Sequence, residues 1–316
     1  MVRFDEQAKR EGRKYVEDRR GQGGRRSMGR GGGGISLGKA GGGLGGILIV
    51  VLGLLFGVDL SGGGGGGGFA IESTGFDAEA PVDAGSSGVV DPDADTIEYL
   101  GALMDDTQDV WSEIFDRAGL NYEFTTIVVF DGRVDTGCGP ATSAVGPFYC
   151  PAPGDNKVYI DLSFFDELKR RFGAPGDFAQ AYVIAHEVGH HIQSVAGISE
   201  QVRRLKSEQP SSANELSVRQ ELQADCFAGV WAHSAAERTN SDGTAIIEMG
   251  DLQEGLRAAE AVGDDSIAEM MGGQSNPHNW THGSAEARQN WFLTGYQTGN
   301  PEACDTFAVT AAEVGL

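Results

Sequence analysis

The chain has 316 residues, 40 % apolar and 22 % charged, which is enough apolar content for a packed core and too much for wholesale disorder. Glycine is over-represented at 49 residues, but 23 of them fall between positions 21 and 68 with no Gly-x-y period, which rules out a collagen-like rod. The formal net charge of −22 is split along the chain: residues 1–39 hold 11 Lys/Arg against 5 Asp/Glu, and residues 59–316 hold 13 against 41. An acidic main body offers no basic face to phosphate, which argues against nucleic acid as its partner.

In chain order, residues 1–39 read as a basic, disordered cytoplasmic tail. Its Arg19–Arg26 stretch looks like an arginine-glycine RNA-binding tract, but a positively charged flank touching anionic lipid is the favoured reading. Residues 40–58 carry no charge and are densest in apolar side chains at Ile47–Phe56. A membrane helix needs about 20 such residues, so this run reads as a transmembrane helix only if its glycine-rich start is counted. A cleaved signal peptide is the rival, disfavoured by the long basic region before it and by the poor small-x-small site at Val58-Asp59-Leu60-Ser61. The expectation is therefore a single-pass membrane protein with a cytoplasmic N-terminus and the body outside the cell membrane. Residues 59–95 read as a glycine-rich, acidic linker. The folded domain is expected over 96–316, opening on a helix capped by Asp95 with apolar positions Ile97, Leu100, Met104, Trp111, Ile114 and Phe115. Thr126–Phe130 and Lys157–Asp161 read as strands, and an edge strand within Thr142–Tyr149 is expected to pair with an extended peptide.

Four cysteines, Cys138, Cys150, Cys226 and Cys304, all follow residue 58, and none forms a Cys-x-x-Cys pair. An even count outside the membrane points to two disulfides with three connectivities. Cys138–Cys150 is the economical choice because it closes a short Gly/Pro-containing loop, leaving Cys226–Cys304 to pin the C-terminal segment.

The chemistry concentrates in His186-Glu187-Val188-Gly189-His190, inside the helical pattern Asp177–Gln193. His186 and His190 stand one turn apart on one face, so both imidazoles reach one metal, and Glu187 lies in the same arc, able to face a bound water. The metzincin continuation is absent, since Gln193 and Ala196 occupy its Gly and His places. Glu221 and Asp225 are also four residues apart, on a helical stretch from about 213 to 237. Glu221 is the candidate third zinc ligand, and Asp225 the acceptor for the outer N–H of a ligand histidine. His282, just before a helix capped by Ser284, is the first candidate to stabilise an oxyanion, and Arg288 the second. His191, His233 and His278 read as structural or surface residues.

These pieces together resemble the neutral zinc metallopeptidase family of bacterial membranes. The resemblance is carried by Val16–Arg20, Gly57–Leu60, Cys138-Gly139, Gly146–Pro151, Val158–Leu162, Ala185–His191, Gln220–Gly229 and Thr281–Gly283. It implies an α+β, mostly helical, gluzincin-like zinc peptidase domain with a small sheet and one bound Zn2+. It also implies a peptide or protein substrate, cleaved by a zinc-bound water with Glu187 as general base. Two alternatives remain: a catalytically silent, zinc-stabilised interaction protein, and a zinc hydrolase of non-protein envelope amides.

Overall fold

The computed structural model describes residues 2–21, 91–172 and 176–316. It begins with helix α1 (Glu6–Gly12) and strand β1 (Val16–Asp18), then the long helix α2 (Ala94–Arg117). Strand β2 (Thr126–Phe130), the hairpin β3 (Arg133–Thr136) and β4 (Gly139–Thr142), β5 (Phe148–Cys150) and β6 (Lys157–Asp161) follow. The rest is helical: α3 (Ser163–Phe172), α4 (Asp177–Val195), α5 (Ile198–Glu208), α6 (Ala213–Ala236), α7 (Met249–Ala261), α8 (Asp264–Met270), α9 (Ala285–Thr298) and α10 (Ala311–Val314). This is a mostly helical α+β arrangement with a small sheet.

The sheet runs β1-β2-β6-β5, with β1, β2 and β6 parallel and β5 antiparallel at the edge. Parallel strands are covered on both faces, which is why Ile127, Val128, Val129, Val158, Tyr159 and Ile160 are all fully buried. The main core joins Leu100, Leu103, Met104 and Trp111 of α2 to Phe178 and Tyr182 of α4, Trp231 of α6 and Phe292 of α9. Disulfides join Cys138 to Cys150 and Cys226 on α6 to Cys304.

Residues 2–20 are not the disordered tail that their charge implies. Val2 and Phe4 are buried in the main core, and β1 pairs in parallel register with β2, Val16 opposite Ile127. α1 crosses α2 at a glycine-on-glycine contact, where a Cβ on Gly12 would lie 2.2 Å from the carbonyl carbon of Gly101. Arg20 then reaches over the start of α2, with ion pairs to Asp18 (2.8 Å), Asp91 (2.5 Å) and Asp93 (2.6 Å). Helix α2 starts at Ala94 with Asp93 as its N-cap, so Asp95 sits in its first turn and is not the cap.

The transmembrane and localisation expectations are corrected by two findings. Among the described residues no helix is long and apolar enough to cross a membrane, and residues 40–58 lie outside the described residues. The longest helices, α2 and α6, each span 24 residues, but their sequences include Asp105, Asp106, Asp109 and Glu113, or Glu215, Arg219, Glu221 and Asp225. In addition, Arg20 and Asp91 hold the two chain ends flanking residues 22–90 together. One crossing between them would put β1 and β2 on opposite sides of the membrane, yet they are neighbours in one sheet.

Glu17 of β1 reaches across β2, accepting from Lys157 Nζ of β6 at 2.6 Å and from Arg19 Nε at 2.7 Å. The hydrogen bonds from Arg19 and Lys157 hold its pKa down at about 2, against an ordinary 4.5. Its contribution to stability is therefore complete above about pH 4.5 and is lost as pH falls towards 2. Glu17→Gln is expected to flatten the pH dependence of the urea midpoint in that window and leave its pH dependence above it unchanged; an unaltered acid limb would show that this bridge does not hold β1.

Candidate metal centre

Helix α4 is apolar nearly all round, so its polar residues are carried inside: His186, Glu187, His191 and Gln193 are buried. It packs on α6 at Gly189, where a Cβ would stand 2.9 Å from the carbonyl oxygen of Ala224. That close approach sets the 186–190 turn of α4 opposite the 221–225 turn of α6. His186 Nε2 lies 3.3 Å from Glu221 Oε2, and His190 Nε2 lies 3.5 Å from Glu221 Oε1. One ligand atom from each of the three residues falls within 4.8 Å of the others, a three-donor cluster with metal-site dimensions.

Behind His186 sits a buried polar network. Its Nδ1–H donates to Asp225 Oδ1 at 2.7 Å, and the Tyr182 hydroxyl donates to the same oxygen at 2.5 Å. Arg288 donates to both carboxylate oxygens of Asp225, Nε to Oδ2 at 2.8 Å and Nη2 to Oδ1 at 3.0 Å, and its Nη1 donates to the carbonyl of Val262 at 3.1 Å. Arg288 is buried, and its donors are engaged with Asp225 of α6 and with the end of α7. Sequence reading missed Tyr182, although it precedes His186 by one helical turn and so shares its face.

The electrostatics are those of a charged cluster in a dry setting. Burial opposes protonation of His186, but the carboxylates of Asp225 and Glu221 outweigh it and hold its pKa up at about 10. Burial likewise opposes ionisation of Glu221, yet His190 and His186, with a contribution from His282, keep it well below the usual carboxylate range. Asp225 is held at about 2 against burial, by Arg288 and His186. Glu187 shifts the other way, raised chiefly by burial. Its Oε2 is buried with no hydrogen-bond partner among the described residues, and the nearby backbone of Tyr149 on the edge strand β5 only partly offsets the effect of burial.

His282 stands in the turn before α9, whose Ser284 cap accepts from Ala287 N–H at 3.1 Å. Asp264, at the start of α8, organises that turn: Oδ2 accepts the N–H groups of Thr281 (2.8 Å), His282 (2.8 Å) and Gly283 (3.0 Å). Its Oδ1 lies 3.3 Å from His282 Nδ1. No periodicity or spacing in the sequence marks Asp264 for this task. His191 lies apart from the cluster, donating Nε2–H to the carbonyl of Glu123 at 2.6 Å, and burial pulls its pKa down to about 4. His278 is exposed, and His233 Nδ1 bonds to the Tyr296 carbonyl at 2.7 Å.

Two imidazoles and a carboxylate within metal-ligand reach of one another, beside a second carboxylate whose one oxygen has no partner among the described residues, form a cluster able to hold a metal ion. The family described as "Putative neutral zinc metallopeptidase" matches residues 5–307, and the chain belongs to that family. The "Uncharacterized protein YpfJ" of Escherichia coli (strain K12) is 42 % identical over 295 residues, covering 92 % of this chain and 95 % of its own. The "Uncharacterized protein Rv2575" of Mycobacterium tuberculosis (strain H37Rv) is 49 % identical over 192 residues, covering 59 % of this chain and 63 % of its own. No solved structure matches significantly.

Proposed function

We propose that this protein is a zinc-dependent peptidase in which His186, His190 and Glu221 hold the metal and Glu187 is the general base. The observation that carries the reading is Glu187 Oε2, a buried carboxylate oxygen with no partner among the described residues, beside a three-donor cluster. An orphaned buried oxygen is costly, and a site that receives a water or ligand there explains why it persists. Zinc bound by these residues supplies the Lewis acidity that polarises a peptide carbonyl and makes water nucleophilic at neutral pH.

The chain's own residues do the rest. Glu187 Oε2 accepts a proton from the attacking water and passes it to the nitrogen of the leaving amine, and burial, by raising its pKa, suits it to both transfers. Asp225, clamped by Arg288 and Tyr182, holds the Nδ1 proton of His186 and so leaves Nε2 as the donor atom. Asp264 occupies His282 Nδ1 and leaves its Nε2 for the developing oxyanion. An extended peptide laid along the edge strand β5 would run beside α4, where the Tyr149 backbone already meets Glu187.

The test is zinc content and turnover of a mixed peptide library by the purified full chain, with and without chelator. One zinc per chain and cleavage abolished by chelator are expected. Zinc without cleavage of any peptide would replace the peptidase reading with a metal-stabilised interaction protein, and absence of zinc would overturn the ligand assignment.

A further inference from the structure

His186 and His190 face the same glutamate, but their outer nitrogens rest on different chemistry. His186 is backed by a carboxylate. His190 Nδ1–H donates instead to the side-chain carbonyl of Gln193 at 2.9 Å, three residues on along α4. Gln193 is fully buried, and its amide nitrogen has two acceptors, the backbone carbonyl of Gln220 at 2.7 Å and Gln223 Oε1 at 3.1 Å. Both belong to α6, flanking the ligand Glu221. Gln223, also buried, turns its own amide nitrogen to the carbonyl of Cys304 at 3.0 Å.

We propose that Gln193 is a positioning residue for His190, the first link of a directed amide relay through Gln223 to the carbonyl of Cys304, which holds the His190 Nδ1 proton and turns Nε2 to Glu221. The proposal rests on the reading of His186, His190 and Glu221 as metal ligands.

The polarity of the relay is set from its far end. The Cys304 carbonyl can only accept, so Gln223 presents Nε2 to it and Oε1 to Gln193; the Gln220 carbonyl can also only accept. Gln193 therefore has one orientation that satisfies both neighbours, with Nε2 towards α6 and Oε1 towards His190. A flip would set its oxygen against two acceptor oxygens in a buried place, each loss costing about 1–3 kcal/mol. Neutral glutamine also fits the local charge. Glu187, Glu221 and Asp225 already gather in this space, and a fourth carboxylate beside them would add a like charge.

The far end is itself fixed. Cys304 is tied by its disulfide to Cys226, one turn beyond Gln223 on α6. The Thr306 hydroxyl donates to the Arg219 carbonyl at 2.6 Å, and Arg219 Nη1 donates to the carbonyls of Thr306 and Val309, the latter at 3.0 Å. The C-terminal segment thus acts as a brace for a ligand histidine that it never touches.

The test uses the full chain with Gln193→Met, Gln223→Met and both together. The readouts are zinc affinity by competition with a chromophoric chelator, the visible spectrum of the cobalt(II) protein, and the His190 Nδ1–H resonance in metal-free protein. Gln193→Met is expected to weaken zinc about 10–100-fold, to alter the cobalt spectrum, and to lose the protected Nδ1–H signal to exchange with water. Gln223→Met shifts all three in the same direction by less, and the double variant matches Gln193→Met alone, because one break severs the relay. Should Gln193→Met not fold, Gln223→Met carries the same readouts. Zinc affinity within twofold of wild type with an unchanged Nδ1–H signal would overturn the relay, as would a double variant losing the sum of the two single effects. A wild-type chain that binds no zinc would sink the metal reading instead, and the Nδ1–H resonance would still decide the relay.

Discussion

Glu187→Gln is expected to lower the proposed peptide hydrolysis by roughly 10²–10⁴-fold in kcat and to leave zinc content at the wild-type level. The substitution keeps the shape of a fully buried side chain and removes only its ability to carry a proton. Zinc content is expected to hold because Glu187 lies outside the donor cluster of His186, His190 and Glu221. Stability of the metal-free protein is expected to hold or rise, since the variant no longer confines a charge whose pKa burial already pushes up. Parallel measurement of zinc per chain, kcat and KM decides the point. Wild-type turnover in the variant would strip Glu187 of its role as base, and loss of zinc would mean that it is needed to hold the metal.

The second large effect is on the other side of His186. Arg288→Met leaves Asp225, whose side chain is 0 % exposed, without its guanidinium partner, and breaking a buried pair from one end costs about 3–5 kcal/mol. The urea midpoint should fall accordingly, and zinc affinity with it, because Asp225 escapes part of that cost by taking a proton and then holds His186 less firmly. Arg288→Lys restores the charge but not the two-pronged contact, so it should recover only part of the loss. Pairing Arg288→Met with Asp225→Asn removes both charges and should cost less than Arg288→Met alone. Equal or greater loss in the double variant would show that shape, and not charge, governs this site.

How much of this could be seen in the sequence depends on the range over which each feature is encoded. The His186/Glu187/His190 turn and the Glu221/Asp225 turn each state their geometry through helical spacing, and the structure brings the two turns face to face. The strands at 126–130 and 157–161 were legible from their apolar, β-branched runs. The N-terminal arm was not. Its strand is three residues long, its partner lies some hundred positions away, and its arginines look like a solvated flank until Asp91 and Asp93 appear beside them. Local pattern carries no information on such pairings. The partner of Arg288 was hidden for a similar reason: an arginine on a helix looks free until the buried acid 63 positions earlier meets it. Gln193 and Gln223 gave no signal, since amides contribute neither charge nor periodicity, and Asp264 was hidden among acidic neighbours.

The clasp made by Arg20 with Asp91 and Asp93 bears on what limited proteolysis would do to this chain. A protease that cuts once between Gly21 and Asp91 would sever the backbone but leave the contacts that the described residues make to α1 and β1. The nicked protein is a non-covalent complex of two fragments, and the small one is a structural subunit in its own right. Cleavage in that stretch would leave these contacts joining the two pieces, and a fragment made by trimming the chain to its larger piece would lack an edge strand and the Val2 and Phe4 part of its interior.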